Sequence, residues 1–588
     1  MSYRKSTANW QWRYFAAPGI PDVLADLNGF LENEITMPDG TKLQAKPFEF
    51  APEGVFNFYD IAPKIADFDK YAKDNRVTSP RTILVGEFVA EVPGKLYVGL
   101  GADWKWTFWV NGKMLLDARR TANSEAPVRS NNHSLEIEYV AGRNQIIFEV
   151  FGGTYRHPGL DGGMDVALEI IEGMPALEIV YKPFVTFPDA GENAVTIDFS
   201  ANRKSPAAVE YRVKGTSDWM RVYDNLGGQM RRDRAVHCIR LEDLLPDTDY
   251  EYRVVLMDDF RLLQDFPQEI HTFRSAAGKG KFFSFIATAD LQNPATRNDY
   301  LERIIGSEAP FKSDFFAFIG DLYWTTDFDR SVMDEFVVPF TNMAGDKMPL
   351  VMVRGNHEIY GKESNRFFEY FTAPYPGREG YYMFSWGDVC FIVLDFCDDE
   401  GNVPPPSTRQ FHDFEPYIAA EAKWLKKAVN DPICRDAKYR IVLAHGVPVG
   451  DSCKYMPAHV RQVIDPLFAG KDPQVKVHLW LGGHVHRPMR SIPFCNAFYS
   501  MQPVNEFQGG AHAKTGVNYG FPVVITGGPR GSLGENLQFT GIKVDVSSDK
   551  LTVTSLDRYN EILDKIEITA DGSVKELFRC EGMKYYEY

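Results

Sequence analysis

At 588 residues the chain is too long for one ordinary domain, and its length predicts three or four. Its apolar share of 44% and charged share of 24% are those of globular proteins, while a formal net charge of −16 argues against a nucleic-acid duplex or a polybasic membrane contact. No run of about 18 to 20 uncharged apolar residues occurs, so no membrane span is expected. Residues 1–14 lack the apolar centre of a signal peptide, which leaves a cytoplasmic protein, or an exported one whose signal has been removed. The seven cysteines are odd in number and form no C-x-x-C pair, so they read as reduced, mostly buried small hydrophobes.

Residues 1–172 read as all-β. Short runs at 83–85, 86–92, 96–100, 106–110 and 145–151 are punctuated by Pro-Gly and Asn-Gly turns, Asn111-Gly112 among them. The phrase from Trp104 to Lys113 resembles galactose-binding-like jelly rolls, which implies an N-terminal β-sandwich. Such modules accompany many carbohydrate-active enzymes, and Trp104, Trp106 and Trp109 are candidates for a sugar-stacking platform. Core packing of Trp106 and its same-face neighbours is the plainer alternative.

Residues 173–277 form a second β module, with strand-like runs at 183–186, 194–199 and 208–213. The stretch 244–254 resembles the fibronectin type III corner, with Tyr250 tying its loop to the sheet. A run of small residues at 275–280 ends the module.

From 278 to 588 strands and helices alternate. Apolar runs lead into Asp290, Asp321, Gly355, His445 and Gly483, and amphipathic spacing predicts helices over 297–305 and 419–429. Further strands are expected at 389–394, 541–546, 550–555 and 566–568. Chemical residues thus recur just past strand C-termini, where α/β sheets place their ligands.

Five islands behind these runs supply Asp290, Gln292, Asp321, Asn356, His445, His484 and His486. Oxygen and imidazole donors in this number suit two divalent metals with one carboxylate to bridge them. Each island alone is modest, since a lone histidine is more often a satisfied core or surface residue. The ordered set Gly-Asp, Gly-Asn-His-Glu, His and Gly-His-x-His resembles the calcineurin-like metallophosphoesterases over about residues 281–560. The resemblance implies a four-layer α/β sandwich as the catalytic domain. A fibronectin-like module followed by such a domain is similar to the purple acid phosphatases. Carried over by position, Asp321 bridges, Asp290 and His486 hold the first metal, and Asn356, His445 and His484 hold the second.

Two positions depart from that pattern. Trp324 stands where the purple enzymes have a ligating tyrosine, with Tyr323 one residue early, and indole nitrogen cannot ligate. Asp290-x-Gln292 is similar instead to the first block of manganese-dependent ADP-ribose and CDP-alcohol diphosphatases, which implies Gln292 as a further ligand. Two divalent ions, manganese, iron or zinc, are therefore expected.

The resemblance implies phosphate-ester hydrolysis by direct attack of a metal-bound hydroxide, with His357 protonating the leaving oxygen and Glu358 or Asp327 orienting it. Arg354, Arg487 and Arg530 are candidates to hold the phosphate, against the plain reading of surface charge or internal ion pairs. The aromatic loop 361–382 either lines the pocket or simply packs. The substrate class is a small phosphate ester, sugar-linked ones included. The purple-phosphatase layout favours monoesters, and Asp-x-Gln favours diesters or nucleotide diphosphates. A glycan-binding or adhesion protein with a scaffold phosphoesterase domain is the competing class. Retention of a donor in every block speaks against it.

Overall fold

The computed structural model describes residues 4–5, 10–17, 29–36, 40, 42–48, 55–57, 81–102, 105–119, 128–130, 132–151, 165–172, 176–187, 193–258, 264–292, 298, 301–302, 313–326, 332–345, 348–371, 380–395, 413–449, 456–495, 497–501, 519–526 and 540–587. The chain divides into two compact units, Met1–Leu177 with Met257–Phe266, and Glu178–Leu256 with Pro267–Tyr588.

The first unit is built of antiparallel sheets. One runs Lys113–Asp117, Lys105–Val110, Gly142–Phe151, Arg81–Ala90, Gln11–Ala17 and Lys46–Pro47, and the other contains Asp165–Glu172, Gly94–Ala102 and His133–Tyr139. Alternation makes their shared core: Leu84, Trp106, Phe108 and Phe148 of one sheet meet Leu96, Val98, Leu135 and Leu168 of the other. Asn111 and Gly112 turn the hairpin at φ 46° and 76°, the left-handed pair that a two-residue turn requires. Trp106 is 1% exposed in that core, and Trp109, 8% exposed, packs on the opposite face with Phe15, Ile83 and Val85. Neither leaves a face open for a sugar, so these two take the plainer role of core packing rather than a platform. Trp104 lies outside the described residues.

In the second unit Ala207–Val213, Met220–Tyr223, His271–Arg274 and residues 249–256 of the strand Asp249–Asp258 belong to one antiparallel sheet. Tyr250 is buried with its ring stacked 5.3 Å from Phe273, and its hydroxyl accepts from the Leu245 N–H at 2.8 Å. Phe184–Thr186, Val195–Ser200 and Val236–Leu241 instead extend the main sheet of the unit, through the parallel pairing of Thr186 with Leu350.

That main sheet holds β1 (Phe283–Thr288), β2 (Phe315–Ile319) and β3 (Leu350–Val353), which are mutually parallel. A second sheet holds β4 (Tyr382–Trp386), β5 (Val389–Val393), β6 (Tyr439–Leu443), β7 (Leu479–Gly482), β8 (Met489–Ser491), β9 (Ala497–Ser500) and β10 (Val523–Ile525). The chain then returns to the edge of the first sheet as β11 (Thr540–Val546), β12 (Lys550–Asp557), β13 (Ile562–Thr569) and β14 (Val574–Arg579), before Lys584–Glu587 closes the second.

Period-two alternation stacks the layers. Phe285 and Phe315 face the other sheet, 5.3 and 5.6 Å from Phe391, while Ile286, Phe316 and Phe318 face outward under a helical cover containing Phe336, Phe340 and Phe367. On the far side α1 (Phe414–Ala428) buries Ile418, Leu425 and Ala428 over the second sheet. The helix expected over 419–429 thus starts five residues earlier. Of that expected over 297–305, the described residues 298, 301 and 302 are helical.

Candidate metal centre

The parallel strands β1, β2, β3, β6 and β7 all deliver their C-terminal ends to one place. Asp290 (φ 60°), Asp321 (φ 56°), His484 (φ 68°) and His486 (φ 56°) make up four of the nine described non-glycine residues in the left-handed region. Aspartate and histidine tolerate that region better than most residues, and each instance costs about 1–3 kcal/mol. Strain concentrated at the expected donors marks a built site. Glycines let the loops close on one another. A Cβ on Gly320 would lie 2.6 Å from His445 Nδ1, one on Gly355 2.4 Å from Asp321 Oδ1, and one on Gly483 2.4 Å from the Ala289 Cβ.

The donors fall into two overlapping groups. Asp321, His445 and His484 form one and Asp290, Asp321 and His486 the other, with the donor atoms of each group within 4.8 Å of one another. Asp321 is the shared member. The His445 Nδ1–H donates to the Ile319 carbonyl at 2.7 Å, which leaves Nε2 aimed at Asp321 Oδ2, 3.2 Å away. Asn356 Oδ1 lies 3.1 Å from His445 Nε2 and 3.0 Å from His484 Nδ1, and His486 Nε2 lies 3.5 Å from Asp290 Oδ1. Gln292, 3% exposed, donates from Nε2 to Asp321 Oδ2 at 2.8 Å. All seven residues expected as ligands therefore converge.

The electrostatics fit a cation pair. Burial, joined by the charge of Asp321 and opposed by His445, pushes the Asp290 carboxyl up to about 8. Burial would raise Asp321 as well, but the His445 and His357 imidazoles hold it below the usual carboxylate range. Against its own burial, His445 is carried up to about 10 by Asp321 and Asp290. Carboxylates and imidazoles crowded out of water, with oxygen and nitrogen atoms turned inward, are the donor set that divalent cations neutralise.

His357 flanks this set. Its N–H donates to Asp321 Oδ1 at 2.9 Å, and its Nε2 stands 3.8 Å from Asp321 Oδ2 with the side chain 14% exposed. The Nδ1–H donates to the Trp324 carbonyl at 2.9 Å, so a backbone oxygen orients the ring. Glu358, expected as one of two possible orienters, does other work. Its buried carboxylate accepts from the backbone N–H groups of Asp321 and Leu322 at 2.8 Å and of Gly355 at 2.6 Å, pinning the β2 loop to the β3 loop. Asp327 lies outside the described residues.

Tyr323 is fully buried in the outer core with Phe336 and Phe367, and Trp324 points outward, 46% exposed. Arg354 does not present a free guanidinium: it pairs with buried Asp395 at 2.5 Å and stacks between Phe368 and Tyr417. Arg487 is buried beside the last histidine, and Arg530 lies outside the described residues. Sequence reasoning missed the Trp324 carbonyl and the Glu358 clamp. The first carries no side-chain signal, and the second is visible only once three backbone N–H groups are brought together.

Residues 283–488 match the model of the calcineurin-like phosphoesterase family, so the chain carries a metallophosphoesterase domain and is a hydrolase of phosphoric esters. Among solved structures it is similar to a purple acid phosphatase from yellow lupin (Lupinus luteus) seeds, at 14% identity and a TM-score of 0.46 over 84% of this chain and 93% of that one. It is also similar to PhoD, at 12% identity and a TM-score of 0.45 over 69% of this chain and 94% of that one. A search of the curated proteins found no match. Among the described residues no helix is long and apolar enough to cross a membrane.

Proposed function

We propose that the chain is a dinuclear metal-dependent phosphoesterase that hydrolyses a small phosphate monoester without a phosphoenzyme. The observation that carries this reading is the pair of donor groups sharing Asp321. On this reading Asp290, Gln292, Asp321 and His486 would hold one ion, and Asp321, Asn356, His445 and His484 would hold the other. When bound, such ions would supply an activated water near neutral pH and offset the charge of the phosphoryl oxygens.

The chain's own groups do the rest. His357, held by the Trp324 carbonyl, keeps Nε2 on the side of the set where an ester oxygen would leave, and delivers a proton there. Glu358 keeps the β2 and β3 loops in register, and His445 keeps its Nε2 inward by giving its other proton to Ile319. Gln292 sets its amide nitrogen on Asp321, and rotating the amide by half a turn would turn its oxygen inward, where it could serve as a neutral metal donor. That amide supports the second reading, cleavage of a diester or diphosphate.

The domain assignment follows the same reading: a galactose-binding-like jelly roll over 1–172, a fibronectin type III-like module over 173–277, and the catalytic domain over 278–588. The Tyr250 to Leu245 bond supports the second of these. Carbohydrate contact by the first module would need residues other than Trp106 and Trp109.

Protein stripped with chelator and refilled with Mn(II) should hydrolyse phosphate monoesters faster than diesters or nucleotide diphosphates. Faster turnover of the latter two would favour the second reading. No turnover with any metal, together with tight glycan binding, would favour the scaffold alternative.

A further inference from the structure

Trp324 is an outlier in its own loop. Leu322 and Tyr323 on one side and Thr326 on the other are fully buried, yet the Trp324 indole is 46% exposed. The loop itself is fixed at both ends. Glu358 accepts from the Asp321 and Leu322 N–H groups, the Thr326 N–H donates to the Tyr360 carbonyl at 2.8 Å, and the Glu363 N–H donates to the Thr326 carbonyl at 2.8 Å. The Trp324 carbonyl is meanwhile engaged by His357. A large ring held out from a pinned backbone loses little freedom when something stacks on it.

Its position gives the ring a purpose. The indole meets the His357 ring edge to face at 5.2 Å, and the Tyr360 ring also meets His357 edge to face at 5.2 Å. His357 Nε2 is in turn 3.8 Å from Asp321 Oδ2. A phosphoryl group seated on the donor set, with its leaving oxygen toward His357, would therefore send its leaving group out past the Trp324 face.

We propose that Trp324 is a specificity-determining residue that stacks on the leaving group and selects phosphate esters bearing a planar aromatic ring. This rests on the phosphoesterase reading of the same site. An aryl ester carries its ring on the leaving oxygen, whereas a nucleoside 5′-phosphate carries it beyond the ribose. Comparing phenyl phosphate with AMP separates the two sources.

The test uses full-length, Mn(II)-loaded wild type, Trp324→Ala and Trp324→Phe, none of which loses the backbone carbonyl that holds His357. The kcat/KM ratio of phenyl phosphate over ethyl phosphate should fall about five- to tenfold in Trp324→Ala and be kept in Trp324→Phe. In parallel, calorimetry should show phenylphosphonate binding more tightly than methylphosphonate to wild type, with that preference lost in Trp324→Ala. A ratio that moves less than twofold in Trp324→Ala, or a wild type indifferent to the phenyl group, overturns the proposal. If no ester is turned over but the phenylphosphonate preference appears and vanishes as stated, the hydrolase reading fails while the Trp324 assignment stands.

Discussion

The side chains nearest the chemistry have separable jobs. The His357 backbone N–H donates to Asp321, while its Nε2 lies beside the same carboxylate and its other nitrogen is spent on the Trp324 carbonyl. His357→Asn should therefore lower kcat by roughly 10²–10⁴ on alkyl esters, whose leaving oxygen needs a proton. The loss should be much smaller on 4-nitrophenyl phosphate, which leaves without one, and KM should change little. An equal loss on both substrates would place His357 in binding rather than proton delivery. Glu358 is a positioning residue. Glu358→Gln puts an amide NH2 against N–H donors that now share one carboxylate, and should cost roughly 2–3 kcal/mol in urea denaturation. It should also weaken Mn(II) binding about 10- to 100-fold, a readout that simple destabilisation of the folded state would not move.

At the scale of elements, the site exists because parallel strands end together and turn sharply. Gly355, at the end of β3, packs so closely on Asp321 that an alanine Cβ would meet its Oδ1 at 2.4 Å and its N at 2.6 Å. Gly355→Ala should fold, at a cost of about 1–3 kcal/mol, and lose on the order of 10²-fold in kcat/KM through displacement of Asp321. Thermal denaturation alongside kinetics checks both halves. Much of this scale is legible in the sequence. The apolar runs before Asp290, Asp321 and Gly355 are strands, and period-two alternation sends Phe285 and Phe315 inward and Phe316 and Phe318 outward. The Asn111-Gly112 turn and the Tyr250 bond likewise follow from local residues. What the sequence hides is direction across space. Nothing in Arg354 announces that Asp395, 41 residues later, takes its charge, and nothing in Trp109 distinguishes a buried ring from a sugar platform. Such outcomes depend on which strand ends meet.

At the scale of the whole catalytic unit, His478 joins the two sheets. The Arg440 N–H of β6 donates to its Nδ1 at 3.1 Å, and its Nε2–H donates to the Ala570 carbonyl, just past β13, at 3.0 Å. Only the neutral ring can accept and donate at once, and burial, ahead of the charges of Arg440 and Lys476, pulls its pKa down from 6.5 to about 4. The unfolded chain thus binds the proton more readily than the folded one. The stabilisation is complete above the ordinary pKa of 6.5 and is lost as pH falls toward 4, by at most about 3 kcal/mol. His478→Gln should be less stable at pH 7.5, and its stability should fall less between pH 7 and pH 4.5 than that of the wild type, as read by urea midpoints. Parallel curves for the two proteins would remove His478 from that role.

The sharing of Asp321 between two donor groups is the feature on which the function turns, and metal counting reaches it directly. Equilibrium dialysis of chelator-stripped protein against Mn(II) should find two ions per wild-type chain and fewer than one per Asp321→Asn chain, because one carboxylate serves both groups. Two ions in the variant, or none in the wild type, would contradict the dinuclear centre.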